Sequence, residues 1–260
     1  QSNPKVMLLK KIIPAISVLG VSIMVGVLVS KASPGEVANH IEISSNTALS
    51  AELEDGDRFG MYARSMGDVN GDGNEDIVVT APGEFESATT TGSIYILFMD
   101  GTGNLDSFHE ITGNTGGEMA GVWSAGDNIG SAWGAVPLGD IDGNGVPDLA
   151  IGTRDDNDGG DTRGAVYVLF LEADGSIDED GTSNGYAKFS ESSLEFTATL
   201  EDYGFFGMRY EAIGDVNGDG TTDLAVGARR EAGGGFSRGA VYILFLDPDG
   251  TLDDTIPYAK

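Results

Sequence analysis

Beyond residue 32 the apolar positions fall in short runs separated by Gly, Asp and Asn, without the sustained three-to-four spacing of an amphipathic helix. Three runs, IVVT from Ile77, LAIG from Leu149 and LAVG from Leu224, each follow directly on an Asp-rich segment. Three longer blocks are GSIYILFMDGTGNL from Gly92, GAVYVLFLEADGSI from Gly164 and GAVYILFLDPDGTL from Gly239. Each is β-branched, aromatic and aliphatic until it nears an Asp-Gly pair, at 100–101, 174–175 and 249–250. Such blocks predict strands buried on both faces, and the Asp-Gly pairs predict tight hairpins at their ends. Ahead of the Asp-rich segments, DRFGMYARSM (57–66) matches YGFFGMRYEAI (203–213), with SAWGAVPL (131–138) as the divergent copy. Each unit therefore predicts several short strands and no helix. The period follows the first aspartates, Asp68, Asp140 and Asp215, spaced 72 and 75 residues apart.

The Asp-rich segments read GDVNGDGNEDIVV from Gly67, GDIDGNGVPDLAI from Gly139 and GDVNGDGTTDLAV from Gly214. In the pattern D-x-[DN]-G-[DN]-G-x-x-D, the side chains at positions 1, 3, 5 and 9 and the carbonyl at position 7 can face one interior, because the glycines let the chain wrap tightly. Hard oxygen donors at that spacing suit Ca²⁺, about one ion per repeat and three in the chain. The expected ligands of the first loop are Asp68, Asn70, Asp72, the carbonyl of Asn74, and Asp76. Those of the second are Asp140, Asp142, Asn144, the carbonyl of Val146, and Asp148. The third loop offers Asp215, Asn217, Asp219, the carbonyl of Thr221, and Asp223. Three carboxylates per loop repel one another until a cation joins them. The turn preference of Asn, Asp and Gly accounts for such loops without a metal, but not for an Asp at the ninth position of all three. An EF-hand needs a bidentate Glu at position 12 and flanking helices, whereas Val79, Ile151 and Val226 stand there, inside apolar runs.

Charge sharpens this picture. The 260 residues carry 14 Lys and Arg against 42 Asp and Glu, a formal net charge of −28, with 40 glycines and no cysteine. Nucleic acid is disfavoured as a partner, as is a membrane bound through a basic face, and disulfides and thiol chemistry are excluded. Residues 1–32 stand apart, with four lysines and no acid. There Lys10-Lys11 precede an uncharged run from Ile12 to Val29, and Ser30-Lys31-Ala32 has the small-x-small form of a cleavage site. Residues 7–32 are expected to act as a signal peptide cut after Ala32, or as an uncleaved anchor, the membrane then being met through this segment alone. Either way the acidic part is exported, secreted or held at the cell surface.

Together these motifs resemble the FG-GAP repeats of the integrin α-chain N-terminal β-propeller, in the form common in bacterial exported proteins. Phe59-Gly60 and Phe206-Gly207 carry the Phe-Gly landmark, while Ala81-Pro82 and Gly227-Ala228 keep parts of Gly-Ala-Pro. The middle repeat departs, with Ser131-Ala132 aligned to Phe-Gly and Gly152-Thr153 to Gly-Ala. The resemblance implies an all-β fold of consecutive four-stranded propeller blades, with Ca²⁺ in an interstrand loop and a role in cell adhesion or surface recognition. The repeats are assigned to 38–106, 107–178 and 179–253, with 254–260 opening a further one because IPYAK resembles NGYAK at 184–188. Propellers close with about 4 to 8 blades, so three repeats imply part of a larger ring, completed in cis or by oligomerisation.

Signals of catalysis read as ordinary structure. Gly235-Phe236-Ser237-Arg238-Gly239 matches G-x-S-x-G, but a nucleophile elbow needs a strand before it and a helix after it, and here a strand follows. His40 and His109 fall in different repeats and assemble no triad or zinc site. The stretch from Arg154 to Asp161 lacks repeated ligand spacing and reads as a solvated loop; Trp123 and Trp133 read as packing residues. The expectation is a non-enzymatic, calcium-binding extracellular module that recognises a protein or surface ligand. The alternative is the propeller portion of a larger secreted hydrolase, since the family also occurs beside phospholipase-type domains.

Overall fold

In a computed structural model, residues 40–44, 49, 52–83, 91–178, 185–194, 196–231, 237–253 and 258–259 are described. Residues Ile41–Lys260 form one compact unit, and only His40 is described from Gln1–His40. The expected export segment, 7–32, lies outside the described residues.

The apolar runs form three antiparallel four-stranded sheets. The first contains β1 (Tyr62–Gly67), β2 (Asp76–Ala81), β3 (Ser93–Met99) and β4 (Leu105–Thr112), hydrogen-bonded in that order. The second repeats the order with β5 (Ala135–Gly139), β6 (Asp148–Thr153), β7 (Ala165–Leu169) and β8 (Tyr186–Phe189). The third has β9 (Phe206–Gly214), β10 (Asp223–Ala228), β11 (Ala240–Leu244) and β12 (Tyr258–Ala259). Sheet and sequence repeat are out of phase. The boundary at 106/107 falls within β4, and the similar segments at 186–188 and 258–259 are fourth strands of the second and third sheets.

The third strands of the first two sheets, β3 and β7, are apolar from Ile94 to Met99 and from Ala165 to Leu169 because both of their faces are covered. Ile94, Ile96 and Phe98 of β3 join Ile151, Tyr167 and Leu169 in one buried cluster between the first two sheets. Val166, Val168 and Phe170 join Phe206, Tyr210, Tyr242 and Leu244 between the second and third. Each such side chain contributes about 1.5–3 kcal/mol of burial. Close approach needs glycine at Gly152, where an added Cβ would stand 2.3 Å from the Gly207 carbonyl oxygen and 2.4 Å from the Tyr210 ring. The first face of sheet one is covered by Leu49, with Ile43, Leu53 and Phe59 packed around it.

Two expectations are corrected here. The block AVYILF is not buried throughout: Tyr242 and Leu244 are, but Val241 is 57% exposed, because no described sheet covers that face. Its counterpart Val166 is 0% exposed under the third sheet. Nor do Ser131-Ala132 occupy the Phe-Gly position; Ile129-Gly130 do. Ile129 N donates to the Thr91 carbonyl at 3.0 Å as Phe206 N donates to the Arg163 carbonyl at 2.8 Å. The residues before them, Asn128 and Phe205, share a left-handed backbone with Arg58 before Phe59 (φ 54°, 59° and 57°). Two residues inserted between Gly130 and Asp140, relative to Gly60–Asp68 and Gly207–Asp215, defeat alignment by counting back from the loop.

The hairpins also differ from expectation in one copy. Gly175 and Gly250 take positive φ (84° and 72°), and their N–H groups donate to the Glu172 and Asp247 carbonyls. In the first sheet Gly103 (φ 85°), not Gly101, does this, donating to the Asp100 carbonyl at 2.9 Å. The turn therefore sits at Thr102-Gly103, a three-residue loop ending in a left-handed glycine.

Candidate metal centres

The three Asp-rich segments connect β1 to β2, β5 to β6 and β9 to β10, at equivalent ends of their sheets. Their conformation is built by side-chain oxygens accepting backbone N–H groups further along the loop. Asp68 accepts from Asp72 at 2.9 Å and Gly73 at 2.8 Å; Asp140 accepts from Gly143 at 2.8 Å and Gly145 at 3.0 Å. Asp215 accepts from Asp219 at 3.1 Å and Gly220 at 2.9 Å. The glycine at position 6 is chosen by backbone angle, not space: Gly73, Gly145 and Gly220 have φ of 90°, 92° and 101°, and an added Cβ would meet nothing within 4 Å.

Position 3 repeats the device: Asn70 and Asn217 accept from Asp72 and Asp219, and Asp142 from Asn144. At position 5, Asp72, Asn144 and Asp219 accept from Asn74, Val146 and Thr221, at 2.8, 2.7 and 2.7 Å. The seventh residues, named in the sequence for their carbonyls, are thus anchored through their N–H groups.

The ninth position has a further role that the sequence did not reveal. Asp76, Asp148 and Asp223 are each 0% exposed. Asp76 accepts from Val69 N at 2.9 Å and Met99 N at 3.0 Å; Asp148 accepts from Ile141 N at 2.8 Å and Leu171 N at 3.1 Å. Asp223 does the same with Val216 N at 2.8 Å and Leu246 N at 3.2 Å. Each of these carboxylates clips its loop to the end of the neighbouring strand, a purpose sufficient to place Asp there without an ion. The chemical case for a metal therefore rests on the cluster as a whole.

Among the described residues, the second loop brings three carboxylates together: ligand oxygens of Asp140, Asp142 and Asp148 lie within 4.8 Å of one another. Burial pushes Asp148 up to about 7, with the Asp142 charge adding and the Ile141 and Leu171 N–H groups opposing. Burial also raises Asp142, and the charges of Asp140 and Asp178 add to it. An all-oxygen donor set under mutual repulsion fits a hard divalent cation such as Ca²⁺. In loops one and three position 3 is Asn and aspartates stand at positions 1, 5 and 9, with Glu75 a fourth acid at position 8 of loop one.

One acid per repeat was missed. Asp106, Asp178 and Asp253 follow the hairpin residues Leu105, Ile177 and Leu252 in identical register. Asn217 Nδ2 donates to Asp253 Oδ2 at 3.4 Å, and Asp178 acts electrostatically on Asp142, so the hairpin acids border position 3 of these two loops. The signal was present as Leu-Asp, Ile-Asp and Leu-Asp at matching places after each turn. Counting loops and hairpins together, segments 68–76, 100–106, 140–148, 171–178, 215–223 and 247–253 hold 18 Asp and Glu and no Lys or Arg.

Other sequence candidates fall at the opposite strand ends. In the acidic stretch, Asp156 is 3% exposed rather than solvated, and the cation it receives is Lys188, at 2.8 Å. Lys188 also meets Asp158, and Arg154 pairs with Asp155 at 3.2 Å. Ser237 (φ 49°) has the same left-handed backbone as Thr162 (φ 45°), each two residues before a strand-opening glycine, so it belongs to a repeated turn. Trp123 is 2% exposed and packs edge-on against Tyr167. Trp133 instead carries the Arg209 guanidinium 4.4 Å from its ring centroid.

Three successive four-stranded antiparallel sheets, each with an Asp-rich loop between its first two strands, define a β-propeller-type blade array. The family model described as FG-GAP repeat matches residues 65–97 and 211–244. The chain is 31% identical over 212 residues to Integrin alpha-PS2 of Drosophila melanogaster, covering 80% of this chain and 13% of that protein. It is 30% identical over 209 residues to Integrin alpha-5 of Xenopus laevis, covering 78% and 17%. It is also 31% identical over 183 residues to Phosphatidylinositol-glycan-specific phospholipase D of Bos taurus, covering 69% and 20%. The chain is an integrin-like FG-GAP repeat protein and spans a fifth or less of the length of these relatives. The middle sheet, outside both matched segments, has the same strand order as the other two.

Proposed function

We propose that this chain is a calcium-binding, non-catalytic β-propeller module that works outside the cell in adhesion or in recognition of a protein or surface ligand. The observation that carries the reading is the convergence of Asp140, Asp142 and Asp148 in a loop whose pattern recurs in all three sheets. In each loop the side chains at positions 1, 3, 5 and 9 and the carbonyl at 7 would hold the ion, namely those of Asp68–Asp76, Asp140–Asp148 and Asp215–Asp223. When bound, Ca²⁺ supplies positive charge that offsets the carboxylate repulsion. The chain's own contribution is the preformed loop, fixed by its internal N–H bonds and by the ninth-position clip. Similarity to integrin α-chains supports the extracellular setting, and the lysine-flanked segment at 7–32 supports export.

The partner is expected at the β2–β3, β6–β7 and β10–β11 connections, which vary in length and charge on a constant frame. The exposed Val241 face would pack against a further blade, as Val166 packs against the third sheet. Calorimetric titration with CaCl₂ tests the metal reading: saturable binding near three ions per chain is expected, and absence of binding overturns it. Cell or matrix binding that persists unchanged in chelator would remove the link between ion and recognition. The similarity to phospholipase D supports the second reading, in which the module belongs to a larger secreted hydrolase, with catalysis supplied by another domain.

A further inference from the structure

The rim opposite the Asp-rich loops holds a patch of the other sign. Arg229 and Arg230 follow β10, are exposed, and stand with their guanidinium carbons 5.5 and 5.2 Å from the ring centroid of Phe205. Phe205 is fixed by a left-handed backbone (φ 59°) and by its N–H donating to the Thr162 carbonyl at 3.3 Å. Arg230 is tied to the same corner, its N–H donating to the Gly204 carbonyl at 3.1 Å. Among the described residues no carboxylate lies within 4.0 Å of either guanidinium, whereas Arg154, Arg163 and Lys188 of the second repeat all have acidic partners.

The same corner in the second sheet is closed. Asn128 stands at the position of Phe205, and its Nδ2 donates to Asp155 Oδ2, in the place of Arg230, at 3.2 Å. The first sheet has Arg58 there. A constant backbone thus presents Arg, Asn or Phe at one rim position, and among the described residues only Phe205 of the third sheet carries a pair of arginines.

We propose that Phe205, Arg229 and Arg230 form a recognition platform for an isolated carboxylate presented by a polypeptide, either an acidic side chain or a chain terminus. The ring holds both guanidinium groups through cation–π contact while leaving their N–H forks free to grip a carboxylate. A polypeptide fits better than a dense polyanion because the chain as a whole is at −28. A polymer of like charges would meet that field along its length, whereas one carboxylate feels the arginine pair within a screening length of about 8 Å. The platform lies at the other end of the strands from the Asp-rich loops and does not depend on their binding calcium.

The arginine Nε–Hε resonances of the full chain, assigned with single Arg→Lys variants, provide the test. They are titrated with a short Gly-Ser peptide carrying one central Glu, with its Gln counterpart, and with oligogalacturonate. The Glu peptide is expected to shift both signals saturably and the Gln peptide to leave them in place. Arg229→Gln and Arg230→Gln, exposed changes whose fold is checked from the amide spectrum, should each raise the dissociation constant roughly tenfold. Chelator should leave the titration unchanged. Equal response to Glu and Gln peptides, or no response to Glu, overturns the proposal. Tighter binding of oligogalacturonate assigns the patch to acidic glycans and overturns the polypeptide reading.

Discussion

Replacing Asp148 and Asp140 separately by alanine should split structural work from metal binding. Asp148 is 0% exposed and accepts the Ile141 and Leu171 N–H groups at 2.8 and 3.1 Å. Its removal leaves two donors without partners in a site water does not reach, at about 1–3 kcal/mol each, so Asp148→Ala should cost about 2–6 kcal/mol even without metal. Asp140 accepts two N–H groups as well, from Gly143 and Gly145, but on an exposed loop where water replaces the carboxylate. Asp140→Ala should therefore cost only about 1 kcal/mol without metal. Urea unfolding of the full chain in chelator at pH 8, with slope and midpoint compared, measures both. With Ca²⁺ added, Asp140→Ala should forgo the gain that the second loop gives the parent. Equal costs for the two variants in chelator, or a loss below about 1 kcal/mol for Asp148→Ala, would refute the backbone-clip account.

Further outcomes follow from the same geometry. Each occupied loop should stabilise the fold by about 2–3 kcal/mol at 100 times its dissociation constant, so melting temperatures that coincide in Ca²⁺ and in chelator would remove the metal assignment. The raised pKa of Asp148, about 7, means that the folded state holds this proton more tightly than the unfolded chain. The stability linked to that proton in chelator is full below the ordinary carboxylate range and is lost as pH rises through 7, leaving the backbone clip in place; Ca²⁺ affinity should rise over the same interval, and a flat profile in both contradicts the assignment. Gly152→Ala should cost about 1–3 kcal/mol through contact with Gly207 and Tyr210, measured by thermal melting. Lys188→Ala should cost about 3 kcal/mol by leaving Asp156 buried without its cation, and the Asp156→Asn double variant should recover part of that loss. Sequencing exported material should find Ser33 at the amino terminus, whereas a retained membrane-bound terminus supports the anchor.

The Asp-rich loops, the strands after them and the threefold repetition were legible because each rests on local periodicity: alternating or continuous apolar runs, and side chains that accept N–H groups within a few residues. The all-β blade architecture followed from those signals and from the FG-GAP landmarks. Ile129-Gly130 escaped because Ile replaces Phe and an insertion shifts the spacing, while the backbone position itself is held by a bond to Thr91 across the sheets. The offset between repeat and sheet was invisible for a similar reason: β4 and β8 owe their place to pairing with β3 and β7, not to a strong pattern of their own.

The loop's own residues identified the Asp cluster, yet only tertiary structure assigned the ninth carboxylate its second set of bonds, reaching 23 residues along the chain to Met99, Leu171 and Leu246. It likewise made Lys188 the cation of the acidic stretch and left one face of AVYILF exposed while covering both faces of AVYVLF. A sequence carries what neighbouring residues impose on one another through sterics and short-range hydrogen bonds. Burial and charge pairing depend on which surfaces the folded chain brings face to face, and near-identical strands can differ in both.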